Sequence, residues 1–422
     1  MTRDADPPRG RGRRRPDSAP CPCCASAVAG SPAFVHPAVP VLLNVLAPTE
    51  EAARRAPARR LELVDCPTCG AVFNRAFDGV PYGPDYFVDP TRSARYRQHL
   101  DDVSDRLAAR MERSPTFSVV DVGAGQGSFL AHLAGRLGTR VARAHGFDPA
   151  FRAGQAQLPD NVGVTAARLD AAGAAALDFP VDVVVTRHVL EHVAAPVPFL
   201  ASLRESLAAP FLLLVETPNV AHSLEHGLLH DFCYEHCTML GETALAEVLG
   251  RAGYDHVQVG RAFGGEYLLA FAAAPGARPA APRPTPPDAG VPRAVPTRLA
   301  DVARRFVPEH RDRLRHARAR GPIALWGAAG KGALFVHLVD PDRELVSTVV
   351  DIHPNKHGMF LPGTGHRIVS PEEARRRTVR TVVVANATYV DEVAALCDAM
   401  ELRADIECVG NRPFTRTARG RP

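Results

Sequence analysis

Residues 231–240, DFCYEHCTML, gather Asp231, Tyr234, Glu235, His236 and two cysteines in a stretch with no helical or strand period. Two chemistries fit these residue types. Glu235 beside His236 is an acid/base pair: imidazole titrates at about 6.5, so a histidine accepts a proton near neutral pH, and a neighbouring carboxylate fixes its tautomer and supports the imidazolium. Cys233, His236 and Cys237 are alternatively metal ligands, and His222, His226 and His230 recur upstream at the interval that one helix face gives. Position favours the first chemistry. The segment follows LLLVETPNV, an apolar strand ending near Glu216, which puts it among loops at the carboxyl end of a sheet, where α/β folds bind ligands. There His236 is the candidate base with Glu235 as its assistant. His192, from the loop after a different strand, is a candidate for hydrogen-bonding the substrate or its enolate.

A second group surrounds a glycine turn. FSVVDVGAGQGSFLAHLAG (117–135) reads as strand, turn and helix start, with Gly123, Gly125 and Gly127 letting a ligand approach the backbone and the helix N-terminus. Asp121 just before the turn suits a cationic ligand better than a dinucleotide pyrophosphate. ARAHGFDPA ends in Asp148, a carboxylate able to take two ribose hydroxyls, and AARLD supplies Leu169 and Asp170 at the next turn. VDVVVTRHVLEHV is a buried strand whose end carries Arg187, His188, Glu191 and His192.

Two C-x2-C pairs stand apart from both groups. CPCC (21–24) and CPTCG (66–70) each suit a tight knuckle, and four thiolates from Cys21, Cys24, Cys66 and Cys69 would complete the tetrahedral shell of a structural zinc. Cys23 is an alternative ligand within the first pair. The apolar VPVLLNVLAP nearby lacks the basic and aromatic interleaving of a nucleic-acid-binding ribbon. Near the other end, WGAAGKG (326–332) is a second glycine turn. It is no Walker A loop, since Gly332 and not Ser or Thr follows Lys331, but glycines plus lysine at a helix start can hold a phosphate. NAD(H) on this turn, with Asp351 after the next strand, is a further reading.

The elements that must position these groups fall into separate blocks. A chain of 422 residues, 46% apolar and 23% charged with a net charge of +4, is globular, multidomain and without the charge of a nucleic-acid binder. Residues 1–20 are a basic polar tail, expected to be disordered. Residues 21–80 form the cysteine module, 81–273 an α/β core, 274–297 a Pro-rich linker and 298–415 a second α/β unit. No run reaches the roughly 18 apolar residues of a membrane span and no secretory leader is visible, so the expected setting is the cytoplasm, with no membrane partner.

Taken as a set, D-x-G-x-G-x-G, the acids after the second and third strands, and TRHVLEHV resemble a class I S-adenosylmethionine-dependent methyltransferase over about 115–273. That resemblance implies a doubly wound sheet whose glycine turn holds the methionine end of the cofactor. Asp148 then takes the ribose, the Leu169/Asp170 turn the adenine, and Arg187 and His188 join the cofactor site. The order of parts, double C-x2-C module, methyltransferase core and a third unit with WGAAGKG and ANATYVDEV, is similar to the three-domain sugar C-methyltransferases of antibiotic biosynthesis. It implies a zinc-binding first domain, a Rossmann-like third domain that contributes to the substrate site, and C3-methylation of a nucleotide-linked 4-keto-6-deoxy sugar. Glu235 and His236 match that family's Tyr-His-Glu-His motif, while Cys233 and Tyr234 replace its tyrosine and first histidine. Tyr82 and Tyr86 resemble the family's pocket-covering tyrosine segment, and Glu216, Lys331 and Asn386 are candidate substrate contacts. The competing expectations are O- or N-methylation of a small molecule, and a non-catalytic zinc or nucleic-acid-binding protein that keeps the fold.

Overall fold

Valine- and leucine-rich runs build the central sheet, and their burial on both faces explains why they read as unbroken apolar stretches. The computed structural model describes residues 18–154, 157–207, 210–277 and 298–410. Of the tail expected to be disordered over residues 1–20, residues 1–17 lie outside this set, whereas Ser18–Pro20 form a strand; of the Pro-rich linker expected over 274–297, residues 278–297 lie outside it. Among the described residues no helix is long and apolar enough to cross a membrane.

The N-terminal part begins with a hairpin of β1 (Ser18–Pro20) and β2 (Ala27–Ala29), closed by the first cysteine pair. An antiparallel sheet follows from β3 (Phe34–Pro40), β4 (Ala58–Asp65) and β5 (Val72–Asn74), with the second pair turning β4 into β5. The two knuckles share one backbone pattern. Cys21 N–H donates to the Ser26 carbonyl and Cys66 N–H to the Ala71 carbonyl, each at 2.8–2.9 Å, while Ala25 and Gly70 return to the first cysteine's carbonyl. Ala25 (φ 62°) and Gly70 (φ 74°) both sit in the left-handed region, which the turn requires and only glycine adopts without strain.

The core follows with β6 (Phe117–Val122), β7 (Val141–Phe147), β8 (Val162–Thr165), β9 (Val183–Arg187) and β10 (Leu212–Pro218). Then come the two-residue β11 (Thr238–Met239), β12 (Asp255–Ala262) and β13 (Tyr267–Ala273). Seven strands pair in the order β12-β13-β10-β9-β6-β7-β8, and β13 alone runs antiparallel to its neighbours. Strand order reverses between β6 and β9, so the loops after these two strands open a crevice at the sheet's carboxyl edge. β11 leaves the core altogether. It pairs with β5 in register Thr238↔Phe73 and Met239↔Val72, stitching the end of the DFCYEHCTML loop to the N-terminal sheet.

The third part is a parallel sheet of β14 (Ile323–Trp326), β15 (Val346–Val350), β16 (Ile368–Val369), β17 (Thr381–Val384) and β18 (Asp405–Cys408), ordered β16-β15-β14-β17-β18. Its long helix Arg298–Arg320 packs Phe306 beside Phe335 of the helix Gly330–Val339. One apolar core runs through all three parts: Leu43 and Leu61 from the first, Phe232 and Met239 from the second, and Phe306 and Phe335 from the third. The helix Gly330–Val339 starts so close to β14 that a Cβ on Gly332 would lie 1.9 Å from the Gly327 carbonyl oxygen. Gly332→Ala is therefore expected to cost about 1–3 kcal/mol, as overpacking does. Urea unfolding followed by Trp326, the chain's one tryptophan, reads this directly, and an unmoved midpoint would contradict it.

Candidate active site

The crevice at β6 and β9 is floored by a buried ionic knot. Glu216, at the end of β10, is fully buried and takes His99 Nε2 at 2.7 Å, Arg187 Nε at 2.7 Å and His188 Nε2 at 3.3 Å. Burial pushes its carboxyl up, but the Arg187 and His99 charges and the His188 bond hold it well below the usual carboxylate range. Burial likewise lowers His188, and its bonds to Glu191 and Glu216 outweigh this and raise it well above an ordinary histidine. Arg187 also bonds the Tyr96 hydroxyl at 3.2 Å and lies 4.4 Å over the Phe129 ring. Glu216, Arg187 and His188 thus form a fixed platform, and Glu216 has no exposed surface to offer a substrate.

Above the platform sits the glycine turn, whose three residues all take positive φ. A Cβ on Gly123 would lie 2.1 Å from Val189 Cγ2 and one on Gly127 2.9 Å from Leu158 Cδ2, so close packing excludes larger residues there. A Cβ on Gly125 would meet nothing within 4 Å, which makes Gly125 the open side of the cradle. Asp121 is buried beside it with Oδ1 lacking any partner. Burial pushes its pKa up to about 7, with Asp148 adding to the rise and Arg187 opposing it. Asp148 crosses the turn, its Oδ2 accepting from Gly125 N–H at 2.8 Å. Leu169 packs against the core, and Asp170 caps the helix Ala171–Ala175 by accepting from Gly173 N–H at 2.8 Å.

Glu235 and His236 face a second space beside this crevice, lined also by Asn44, Asp231, Cys233, Glu266, Gly330 and Lys331. The two neighbours do not bond each other. His236 Nδ1 lies 3.0 Å from the Asp231 carbonyl, which can only accept, so the neutral ring carries its proton on Nδ1 and its lone pair on Nε2. Burial lowers the His236 pKa and the His192 charge lowers it further, against the pull of Glu191 and Glu235. His192 Nδ1 lies 3.1 Å from the Glu235 carbonyl and 2.6 Å from the Tyr82 hydroxyl, whose proton is left to point at Glu235 Oε2, 3.5 Å away. Glu235 Oε1 accepts from Leu43 N–H at 3.1 Å. Tyr86 meets Tyr82 edge to face at 5.1 Å and accepts from Asn44 Nδ2 at 3.2 Å. Burial, then the Glu235 charge, raises both phenols far above their ordinary range, so both stay neutral hydroxyls.

The cysteines of this loop are not thiolates. Burial and the Glu235 charge raise Cys233 well above the usual thiol range, and burial pushes Cys237 up to about 12. Tyr234 turns away from the space and donates to the Asp78 carboxylate. His222 and His226 stack at 4.2 Å, while His230 Nε2 donates to the Ala385 carbonyl at 3.0 Å, so the three histidines do not converge. Glu191, His192 and His236 do place ligand-type atoms within 4.8 Å of one another, with Glu191 Oε2 also accepting from Thr217 Oγ1 at 3.1 Å.

From the third part, Lys331 Nζ reaches Asp231 Oδ1 at 3.0 Å and Glu266 Oε1 at 2.7 Å. Asn386 Nδ2 bonds both Glu266 oxygens at 2.9 and 3.1 Å, and Gly330 N–H donates to Asn44 Oδ1 at 3.1 Å. Asp351 accepts from Ala328 N–H at 3.0 Å and from Lys356 Nζ at 2.9 Å, so its carboxylate is matched within the protein. At the far end of β4 and β5, Cys21, Cys24, Cys66 and Cys69 bring their sulfurs within 4.8 Å of one another, and Cys23 lies outside this set with its carbonyl accepting from Arg251 Nη1 at 2.8 Å. Asn44, His99 and Glu266 were not singled out by sequence, and Asp231 was noted there without a role. Only His99 carried a signal, three residues after Tyr96 on one face of the helix Ala94–Arg110.

Comparison with known proteins agrees with this layout. Residues 91–259 match a family model described as a methyltransferase domain, and residues 297–403 one described as a C-methyltransferase C-terminal domain. Similar solved structures include human N-acetylserotonin methyltransferase in complex with SAM, at 15% identity over 43% of this chain and 56% of that one, TM-score 0.31. They also include the CurJ carbon methyltransferase, at 18% identity over 43% and 55%, TM-score 0.33. The plantazolicin methyltransferase BamL is a third, at 15% identity over 44% and 87%, TM-score 0.34. The chain thus spans little more than half the length of the first two. No curated protein matches it. The chain is an enzyme carrying a methyltransferase domain of the class I fold, followed by a C-methyltransferase C-terminal domain.

That fold implies S-adenosylmethionine, and the residues present fit it: the orphaned Asp121 Oδ1 suits a cationic ligand, and the open side at Gly125 admits its backbone-hugging end. Asp121 is protonated below about 7 in the free protein and ionised beside a cation, so binding releases a proton. Affinity should rise with pH up to about 7 and then level off, with Asp121→Asn weakening it about tenfold or more and flattening the profile. Calorimetry across pH checks this, and an affinity independent of pH in the natural protein would contradict it.

Proposed function

We propose that this enzyme methylates carbon next to a carbonyl in a small-molecule substrate, with S-adenosylmethionine as donor. The observation that carries the reading is the Asp231 carbonyl on His236 Nδ1, which leaves Nε2 as a free base in the space beside the donor cradle. A carbon acid needs such a base, whereas O- and N-methylation depend chiefly on proximity. His236 Nε2 takes the α-proton, and the C–H electron pair moves into the carbonyl to give an enolate. The Tyr82 O–H, held loosely at 3.5 Å from Glu235 Oε2, is the donor that turns to the enolate oxygen, while His192 Nδ1–H, fixed on the Glu235 carbonyl, supports the Tyr82 oxygen. S-adenosylmethionine held by the glycine turn would supply the electrophilic methyl group for the enolate carbon, its sulfonium sulfur keeping the C–S bond pair as a neutral thioether. His236 then returns its proton to solvent.

The resemblance to sugar C-methyltransferases supports a nucleotide-linked 4-keto-6-deoxy sugar of secondary metabolism as the substrate class. Cys233, smaller than the tyrosine that family carries, suits a substrate bulkier at that wall. Asp121, the three turn glycines, Asp148 and Asp170 are the proposed cofactor contacts, with Leu169 against the adenine. The four converging sulfurs suit a structural zinc, since they offer a full tetrahedral set, and thiols that form no disulfide suit the reducing cytoplasm.

Proton abstraction is testable without methyl transfer. With a nucleoside-diphosphate 4-keto-6-deoxyhexose in deuterium oxide, the enzyme should exchange the α-hydrogen, and His236→Ala should slow this about 10²- to 10⁴-fold. Because burial lowers His236, the acid limb of the rate should fall below about pH 6.5. Exchange that survives His236→Ala would sink the base assignment. For the cysteine cluster, purified protein should hold one zinc per chain by metal analysis, and Cys66→Ser should lose it together with cooperative folding of the N-terminal sheet. A metal-free, fully folded chain would remove the zinc.

A further inference from the structure

Lys331 stands in the second glycine turn where a phosphate ligand is expected, yet its ammonium is held by two carboxylates of the methyltransferase core. One of them, Asp231, is buried, receives Ser223 Oγ at 2.7 Å on its other oxygen, and owns the carbonyl that bonds His236 Nδ1. The other, Glu266, is buried too and is gripped from the third part by Asn386 and by Thr388 Oγ1 at 2.7 Å. His230, next to Asp231, donates to the backbone of the third part at Ala385. Among the described residues, the third part's polar ties to the methyltransferase core around Lys331 land on His230 and Asp231 of the turn Leu229–Asp231 and on Glu266, while Gly330 N–H reaches Asn44 of the first part. Without a cation between them, Asp231 and Glu266 would face each other as two buried like charges, a costly arrangement that moves one of them away.

We infer that Lys331 is a positioning residue for the base: by pairing with Asp231 it fixes the carbonyl that sets the His236 tautomer, so the third domain assembles the proton-abstracting site. The inference rests on the proposed role of His236, but its structural half can be read without any substrate. A lysine whose ammonium is held by two carboxylates has little remaining capacity for a phosphate. The chain of contacts is Lys331 Nζ to Asp231 Oδ1, then along the Asp231 main chain to His236 Nδ1 and so to the free Nε2.

Nitrogen-15 spectra of histidine-labelled full-length protein test this, with the His236 signals assigned by their loss in His236→Gln. The natural protein should show neutral His236 as the Nδ1–H tautomer. Lys331→Met should give mixed tautomers and slow deuterium exchange into the 4-keto sugar nucleotide on the order of 10²-fold, the cost of a misplaced catalytic group. Lys331→Arg should restore the tautomer and most of the exchange, and calorimetric affinity for S-adenosylmethionine should stay the same in both. Should Lys331→Met not fold, Asp231→Asn keeps the carbonyl, removes the charge partner and should give the same mixed tautomers. An unchanged tautomer in these variants overturns the proposal, and if calorimetric affinity for the 4-keto sugar nucleotide weakened at the same time Lys331 would be a phosphate ligand. Exchange insensitive to His236→Gln would defeat the base reading alone, leaving the tautomer result to judge the strut.

Discussion

One carbonyl, that of Asp231, decides which nitrogen of His236 is free, and the rest of the molecule is arranged to hold it. The segment 229–239 has no regular structure of its own beyond a turn and a two-residue strand, so neighbours must fix it. β5 pairs with Thr238 and Met239, Leu43 N–H holds the Glu235 carboxylate, and the third domain grips His230 and Asp231. Loops carry catalytic groups well only when a rigid scaffold over-determines them. Here three parts of the chain supply that scaffold, joined through an apolar core shared among all of them.

Buried charge is the second organising constraint. Glu216 with His99, Arg187 and His188, and Asp231 with Glu266 and Lys331, are two clusters in which every ion has an opposite partner at hydrogen-bond range. Breaking such a pair leaves an uncompensated ion in low dielectric, which costs far more than a surface contact. Asp121 Oδ1, by contrast, is a buried carboxyl oxygen with no hydrogen-bond partner among the described residues, and burial raises its pKa. A buried carboxyl without a partner beside a glycine turn calls for an explanation, and the cationic cofactor proposed above supplies one.

Much of this was legible in the sequence because its causes are local. β6, β9, β10, β14 and β17 are continuous apolar runs, the glycine turn needs its three glycines, and the cysteine pairs announce their knuckles by spacing. What escaped was set by distant partners. Glu216 at a strand end reads as a pocket residue, and only the arrival of His99 on another helix makes it part of the floor. Lys331 reads as a phosphate ligand because nothing adjacent shows Asp231 and Glu266 waiting for it. Glu235 beside His236 reads as a pair, but successive residues in an extended loop point apart, so the histidine found a carbonyl and the carboxylate found a tyrosine. β11 is too short to have a period at all.

Proton abstraction by His236 Nε2 is a geometric proposal, and a crystal structure with S-adenosylhomocysteine and a bound nucleoside-diphosphate 4-keto-6-deoxyhexose reads that geometry. It predicts the carbon beside the carbonyl within about 3–3.5 Å of His236 Nε2, the distance of a near-attack arrangement, with the cofactor sulfur on the opposite face. A substrate bound with that carbon out of reach of Nε2, or with His236 turned so that Nδ1 faces it, would contradict the claim.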